Sequence, residues 1–402
     1  MPLFRLLFQR TANLKYLYAI RLARELSTQL VIFFLPLYFF NLPLNLLPGH
    51  QLSSLQQGVI NVAVLYFVTY AVVLLFSMPV AQVLLKYGIR TGFILGHLFY
   101  ALFVLLLYLS KDNPWQVFGA MTAFGIQMNF FWNSYHYSLS RHSASTKMGA
   151  NLGAINFLLN LLAMISPALG GIIIVALGYE TLFLLGLVIV LVGAAFAFML
   201  EDVRVRDHIS WREFRQWWRA PTFRKLSLTF AGKYINDASV NLWTLYMFVL
   251  LGSVKAVGLF YSLALFLALL VGYFVGPLLD KNRGQRAFKL SGGILSTFWL
   301  ARALSVNIWT LTLINAFDKV TASFHWLFFD RAWILRGKGR EALSYFVYRL
   351  MVYAMAAMLF WLLAGGLFYL FGSAWQSLFV LAAFGVLLTL LIKEHKESEE
   401  EA

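Results

Sequence analysis

Twelve apolar runs divide the chain, at roughly 16–40, 57–84, 91–110, 115–139, 150–177, 180–200, 226–251, 256–279, 288–306, 308–330, 342–370 and 373–392. A helix needs about 20 mostly apolar residues to cross a bilayer. In hydrocarbon each backbone N–H and C=O must find its partner within the protein, which leaves helices or a closed barrel. Runs of this length predict an all-α polytopic membrane protein with twelve transmembrane helices. Composition agrees: 61% of the 402 residues are hydrophobic and only 12% charged, against about 25% charged in a soluble domain.

Lysine and arginine sort onto one side of this map. Twenty-four of the 32 fall up to Lys15, at Lys86 and Arg90, at Arg141 and Lys147, over 204–225, 281–289 and 331–340, and at Lys393 and Lys396. The other side holds Lys111 and Lys255. Basic loops stay in the cytoplasm, so both termini are expected there, at a plasma membrane. The net charge of +15 is this bias, not a nucleic-acid footprint. Arg5 and Arg10 precede the first run with no small-residue cleavage site after it, so that run is expected to remain as an anchor. Cysteine is absent, the seven histidines lack metal-ligand spacing, and no phosphate-binding G-x-x-x-x-G-K-[ST] loop is present. Disulfides, thiol catalysis, a metal site, a cofactor and self-supplied ATP hydrolysis are therefore not expected.

The two halves repeat. Arg21-x-x-x-Glu25-x-Ser27-x-Gln29 in the first run returns as Lys233-x-x-x-Asp237-x-Ser239-x-Asn241 in the seventh, and Gly170-Gly171 returns as Gly365-Gly366. Such duplication predicts two pseudo-symmetric six-helix bundles, 1–200 and 226–393, related by an axis along the membrane normal. A cytoplasmic linker over 201–225 joins them, and an acidic tail over 394–402 follows. Within the linker, Ser210-Trp211-Arg212-Glu213 reads as a capping box. Trp211, Phe214 and Trp218 share one helical face, interleaved with Arg212, Arg215 and Arg219, as in a helix lying in the membrane interface. A plain amphipathic linker fits the same residues.

Between the eighth and ninth runs, Gly276-Pro277-Leu278-Leu279-Asp280-Lys281-Asn282-Arg283-Gly284 must turn at the membrane surface. Its Gly276, Asp280, Lys281 and Gly284 resemble the G-x-x-x-D-[RK]-x-x-G-[RK] loop signature of the major facilitator superfamily. A degenerate copy half a chain earlier runs from Ala81 through Leu85, Lys86 and Gly88 to Arg90, with Leu85 in place of the acid. Gly153, Ser166, Pro167, Gly170 and Gly171 are similar to the family's antiporter-type signature in span five, with Leu162 and Ser166 where it has Gly. The resemblance implies a secondary transporter working by alternating access, not an enzyme. It would move a small-molecule substrate, coupled to protons and leaning to efflux, and would act as a monomer in the lipid bilayer. Import of an organic anion or nutrient fits every feature except the span-five signature. A membrane-embedded enzyme using His136 or His325, or a receptor that binds without flux, are readings from other classes.

Ionisable groups at membrane depth are costly and are functional candidates by default. The acids are Glu25, Asp237 and Asp318; the bases are Arg21, Arg24, Lys233, Arg302, Lys319 and Arg349. Glu25 and Asp237 each lie four residues from a base on their own helix. Asp318 and Lys319 sit about 15 Å from either surface and point about 100° apart, so at least one must reach a neighbouring helix or a cavity. Asp318 is the leading proton-coupling candidate on that ground, with Asp237 and Glu25 behind it; a fixed ion pair, for instance to Arg349, is the rival reading. Gln127, Asn129, Asn133, His136, Asn156, Asn160, Lys233, Asn241, Lys319, His325 and Arg349 are candidate cavity residues. Asp330-Arg331 is placed at the end of span ten, in an inner gate.

Overall fold

The computed structural model describes residues 12–142, 148–279, 284–305, 307–339 and 341–393. Among these, every regular element is helical. Span one runs Ala12–Val31, passes through a 3-10 turn at Ile32–Phe34 and finishes as Leu35–Phe40. Pro36 in its last piece has no N–H to donate, which favours a local tightening of the helix there. Spans two to four are Ser54–Tyr87, Ile89–Leu109 and Gln116–His142. Met148–Ala197 holds spans five and six, broken at Gly178, whose φ of 83° and ψ of 169° reverse the chain in one residue at little steric cost. The linker helix Trp211–Arg219 follows. Spans seven to twelve are Pro221–Leu251, Val254–Leu279, Gly284–Leu304, Ile308–Arg336, Ala342–Phe371 and Trp375–Thr389.

These limits lie close to the predicted runs, with one consequential difference. Span ten continues to Arg336, because Ala332, Trp333 and Ile334 extend its buried face beyond Asp330. Asp330 therefore stands inside a helix and not at its end. Helix starts follow local chemistry: Ser53 and Gln56 form a reciprocal capping box on span two, and the Asn307 side chain accepts from the N–H groups of Trp309 and Thr310 on span ten. Both satisfy donors that the first turn leaves open. Hydroxyls within the spans bond back to their own helix, as Thr69 does to the Leu65 carbonyl and Ser77 to that of Val73.

In the first half span one packs along the helices of 148–197, and span four lies against spans two and three; in the second, span twelve lies against seven and nine, and span ten against eight and nine. The halves meet through two equivalent seams, span two on eleven and span five on eight. A six-span repeat exchanges these seams, as a two-fold relation requires. At the second seam backbones nearly touch. A Cβ on Gly171 would lie 3.2 Å from the Lys255 backbone, one on Gly258 would collide with the Pro167 carbonyl, and the Ala168 N–H donates to the Ser262 hydroxyl at 3.0 Å. Across the first seam, Gln56 Nε2 donates to the carbonyls of Phe368 and Tyr369, and Tyr66 stacks on Trp361 at 4.6 Å. These contacts close the halves at the end away from the linker.

The outside of the bundle is apolar: Leu359, Leu370 and Phe371 are about 70% exposed. Large exposed apolar area of this kind marks a surface made for a non-aqueous neighbour. Among the described residues, five helices are long and apolar enough to cross a membrane, including Ile155–Ala197, which holds two spans. Spans four, seven and ten are not among them. They carry much of the polar lining described next.

Candidate functional site

Two adjoining cavities lie between the halves, about 270 Å³ and 380 Å³ in volume. They share Asn156, Leu159, Lys233 and Asp330, so they form one elongated space. Arg21, His136, Asp237 and Arg349 line the first part, which reaches Leu139 and Ile334 toward the linker end. Glu25, Gln29, Asn160, Lys319 and Ser323 line the second.

Helical spacing brings these groups together. Arg21, Glu25, Gln29 and Phe33 recur every four residues along span one. Lys319, Ser323, Trp326 and Asp330 follow at intervals of four, three and four along span ten, and all four line the second cavity. The period is legible in the sequence, but the charged pair Asp330-Arg331 reads there as a helix end and the structure places Asp330 on the cavity.

Charges in the site are arranged unevenly. Arg21 is ion-paired with Glu25, which also accepts from Gln29 Nε2 at 2.8 Å. Lys233 Nζ lies 2.5 Å from Asp237 Oδ1, and the Tyr353 hydroxyl donates to Asp237 Oδ2 at 3.1 Å. Each of these bases also sits on an indole of the span three places on. Arg21 lies over Trp132 at 4.8 Å and Lys233 over Trp326 at 4.2 Å, geometry within reach of a cation–π attraction. The guanidinium of Arg349 lies 3.7 Å from the centre of the Trp333 ring. Trp333 Nε1 donates to Asp330 Oδ1 at 2.9 Å. Among the described residues, Lys319, Arg349 and Asp330 form no ion pair.

The remaining expected residues fall elsewhere. Asp318 is buried against span nine, 3.1 Å from Arg302, which also donates to Asn315 and lies over Trp299 at 4.4 Å. Asp318 lines neither cavity, and its partner is Arg302, not Arg349. The 100° between adjacent positions separates it from Lys319, which faces the cavity. His325 bridges spans nine, ten and twelve through Ser291 at 3.1 Å and Thr389 at 3.0 Å. Asn129 ties span four to span two through Ser77 and the Val73 carbonyl. Gln127 and Asn133 are buried and Asn241 half-buried, all outside the two cavities. His136 lines the first cavity, stacked on Trp132 at 5.2 Å.

In the loop signature, Gly276 lies in span eight and Gly284 opens span nine, while Asp280 and Lys281 lie outside the described residues. In the earlier copy, Gly88 makes the turn between spans two and three with φ 90°, Lys86 Nζ lies 5.0 Å from the Tyr87 ring centre, and Arg90 is half-buried at the start of span three. Of the span-five residues, Gly170 faces Phe34, Gly171 and Pro167 form the seam with span eight, Ser166 donates to the Leu162 carbonyl, and a Cβ on Gly153 would meet nothing within 4 Å among the described residues. Sequence reasoning missed the cavity roles of Trp132, Trp326, Trp333 and Tyr353, whose aromatic character is equally common on lipid-facing positions.

Comparison with known proteins gives one consistent answer. A model of the Major Facilitator Superfamily matches residues 18–329. Among solved structures, the human organic anion transporter MFSD10 (TETRAN) superposes with a TM-score of 0.69 at 13% identity, over 94% of this chain and 98% of that one. A POT family transporter in complex with 5-aminolevulinic acid gives 0.69 at 14%, over 95% and 96%. The Escherichia coli fucose:proton symporter FucP gives 0.64 at 13%, over 94% and 96%. At these identities the likeness establishes the fold alone. No curated protein sequence matches the chain.

Proposed function

The chain belongs to the major facilitator superfamily, and from that premise we propose that it exports a small organic anion or zwitterion by alternating access, coupled to protons. It is an integral membrane transporter and not an enzyme. The observation that carries the substrate class is the charge of the cavity. Arg21 and Lys233 are paired with Glu25 and Asp237, which leaves Lys319 and Arg349 against the single carboxylate of Asp330. An excess of cations in a space lined by indoles favours a solute with a carboxylate and an apolar body.

The halves are joined at the end away from the linker, and the cavity extends toward the linker end. With the basic loops in the cytoplasm, the cavity approaches that side at Leu139 and Ile334, where His136 of the first half meets Trp333 of the second at 4.7 Å. The antiporter-like residues of span five support the outward direction. Glu25, Asp237 and Asp330 are the acids placed to exchange protons with the cavity, whereas Asp318 is committed to Arg302.

The test is flux in sealed proteoliposomes under an imposed pH gradient, with aromatic monocarboxylates, amino acids and lipophilic cations compared. Carboxylate flux that follows the gradient and falls tenfold or more in Arg349→Gln supports the reading. Flux confined to cations overturns the substrate class, and flux indifferent to pH overturns the coupling. Asp318→Asn keeps its pH coupling if the assignment of that residue to structure is right.

A further inference from the structure

The linker between the halves carries seven bases and four acids over 201–225, and the fold sorts them by sign. Three of the four acids accept hydrogen bonds, and the fourth, Asp202, is exposed. Glu201 accepts from Asn13 Nδ2 at 2.6 Å, Asp202 lies against Gly88, and Asp207 accepts from the Ser344 N–H and hydroxyl at 2.9 and 2.7 Å. Glu213 accepts from the Tyr348 hydroxyl at 3.0 Å and meets His208 Nδ1 at 2.6 Å. All seven bases are exposed, and none forms an ion pair among the described residues.

The helix Trp211–Arg219 shows the same sorting at finer scale. Phe214 and Trp217 face the bundle, each 5.5 Å from the Tyr348 ring. At about 100° per residue, Trp218 and Trp211 lie about 40° and 60° round from Phe214, and Arg215, Arg219 and Arg212 at about 100°, 140° and 160°. Both indoles therefore lie on the same flank, 49% and 42% exposed for Trp211 and Trp218, with the three guanidinium groups next to them. The opposite flank is polar, through Glu213 and Gln216. Water gives two adjacent indoles no reason to stand half-exposed. A membrane interface does: indoles settle at headgroup level, and arginines beside them reach phosphate oxygens.

We propose that this flank of the linker helix is a docking surface for anionic phospholipid headgroups, with Arg212, Arg215 and Arg219 holding the phosphates and Trp211 and Trp218 seated among the upper acyl chains. Charge complementarity selects the occupant: three unpaired guanidinium groups with no acid on their side of the helix. The site also touches both halves. Gln82 of span two donates to the Ile209 carbonyl at 2.9 Å, while Ser344 and Tyr348 of span eleven hold Asp207 and Ser210. A lipid bound here steadies the strap that joins the halves.

The test uses the full-length protein in an uncharged detergent, with thermal unfolding followed as phosphatidylglycerol or phosphatidylcholine is added. Phosphatidylglycerol is expected to raise the midpoint by several degrees more than phosphatidylcholine does. That extra shift should fall by half or more in R212Q/R215Q/R219Q and persist in the control R141Q/K393Q, which removes exposed charge elsewhere at the same end of the bundle. Native mass spectrometry gives an independent reading, with R215Q alone retaining fewer phosphatidylglycerol molecules than the parent. An undiminished shift in the triple variant, together with unchanged lipid retention in R215Q, overturns the proposal. So does an equal shift from inorganic phosphate alone, which would make the surface a simple anion site.

Discussion

Span one and span seven carry the same sequence device, and the structure uses it differently in each half. In span one the acid is satisfied by its own helix: Glu25 takes Arg21 on one side and Gln29 on the other, and its side chain is only 12% exposed. In span seven the corresponding Asp237 is 33% exposed, takes Lys233 and Asn236 Nδ2 from its own helix, and adds a third donor from another span, the Tyr353 hydroxyl of span eleven. The cations differ as well. Trp132 carries two guanidinium groups, those of Arg21 and Arg24 at 4.8 Å each, whereas Trp326 carries one cation, Lys233, among the described residues. The first copy lines the cavity too, but its acid finds both partners on its own helix among the described residues. The second is wired into its bundle and opens onto the cavity beside Asp330 and Arg349. A repeated motif thus preserves an ion pair while its surroundings decide how far other spans share in holding it.

Substitutions can break this contrast, and the largest effect is expected at the acids. Removing one partner of a buried pair leaves the other charge uncompensated, at a cost of about 3–5 kcal/mol when burial is complete. Glu25→Gln should approach the lower figure in chemical unfolding, and Asp237→Asn should cost clearly less because water reaches it. Transport should rank the other way, with Asp237→Asn the poorer carrier. Equal unfolding costs would remove the distinction between the two pairs.

The indoles come next. A desolvated cation–π contact is worth about 0.5–2 kcal/mol, and Trp132→Leu removes two where Trp326→Leu removes one. The first variant should therefore lose more stability in the same unfolding measurement. Tyr353→Phe is subtler, deleting one hydrogen bond to a carboxylate, worth about 1.5–3 kcal/mol when buried and less at this exposure. Its effect should shrink in an Asp237→Asn background, where a neutral amide oxygen replaces the carboxylate as acceptor, and a double-mutant cycle measures the difference directly.

The smallest contrast lies in the paired glycines. Gly171 faces the Lys255 backbone, while a Cβ on its counterpart Gly366 would meet nothing within 4 Å among the described residues. Gly366→Ala should be neutral or gain up to about 1 kcal/mol from helix propensity, and Gly171→Ala should lose stability by forcing the span five–span eight seam apart. The natural chain has no cysteine, so Ala63→Cys with Gly365→Cys gives a clean cross-linking report on the other seam in each variant.

Much of the fold was legible because a bilayer allows so few solutions. Run length marked the spans, and the internal repeat predicted the two bundles. The site was legible in part. Glu25, His136, Asn156, Asn160, Lys233, Asp237, Lys319 and Arg349 all reach the cavity from positions singled out by their polarity at depth. Asp330 escaped because a charged pair followed by further charges resembles a helix end, and only the packing of Trp333 and Ile334 carries the helix past it.

The sequence by itself determined which segments cross the membrane, that they repeat, and which few residues carry charge inside it, since each of these follows from the length and period of a single helix. Only the tertiary structure decided that Asp318 belongs to Arg302, that Lys319 and Arg349 form no ion pair among the described residues, and that the linker ties Asp207 and Glu213 to span eleven while its arginines stay exposed. Partner choice between helices depends on their relative rotation and axial offset. Those are set by close packing at places such as Gly258 on Pro167 and Tyr66 on Trp361, contacts between residues distant in the chain whose spacing along it carries no trace of the match.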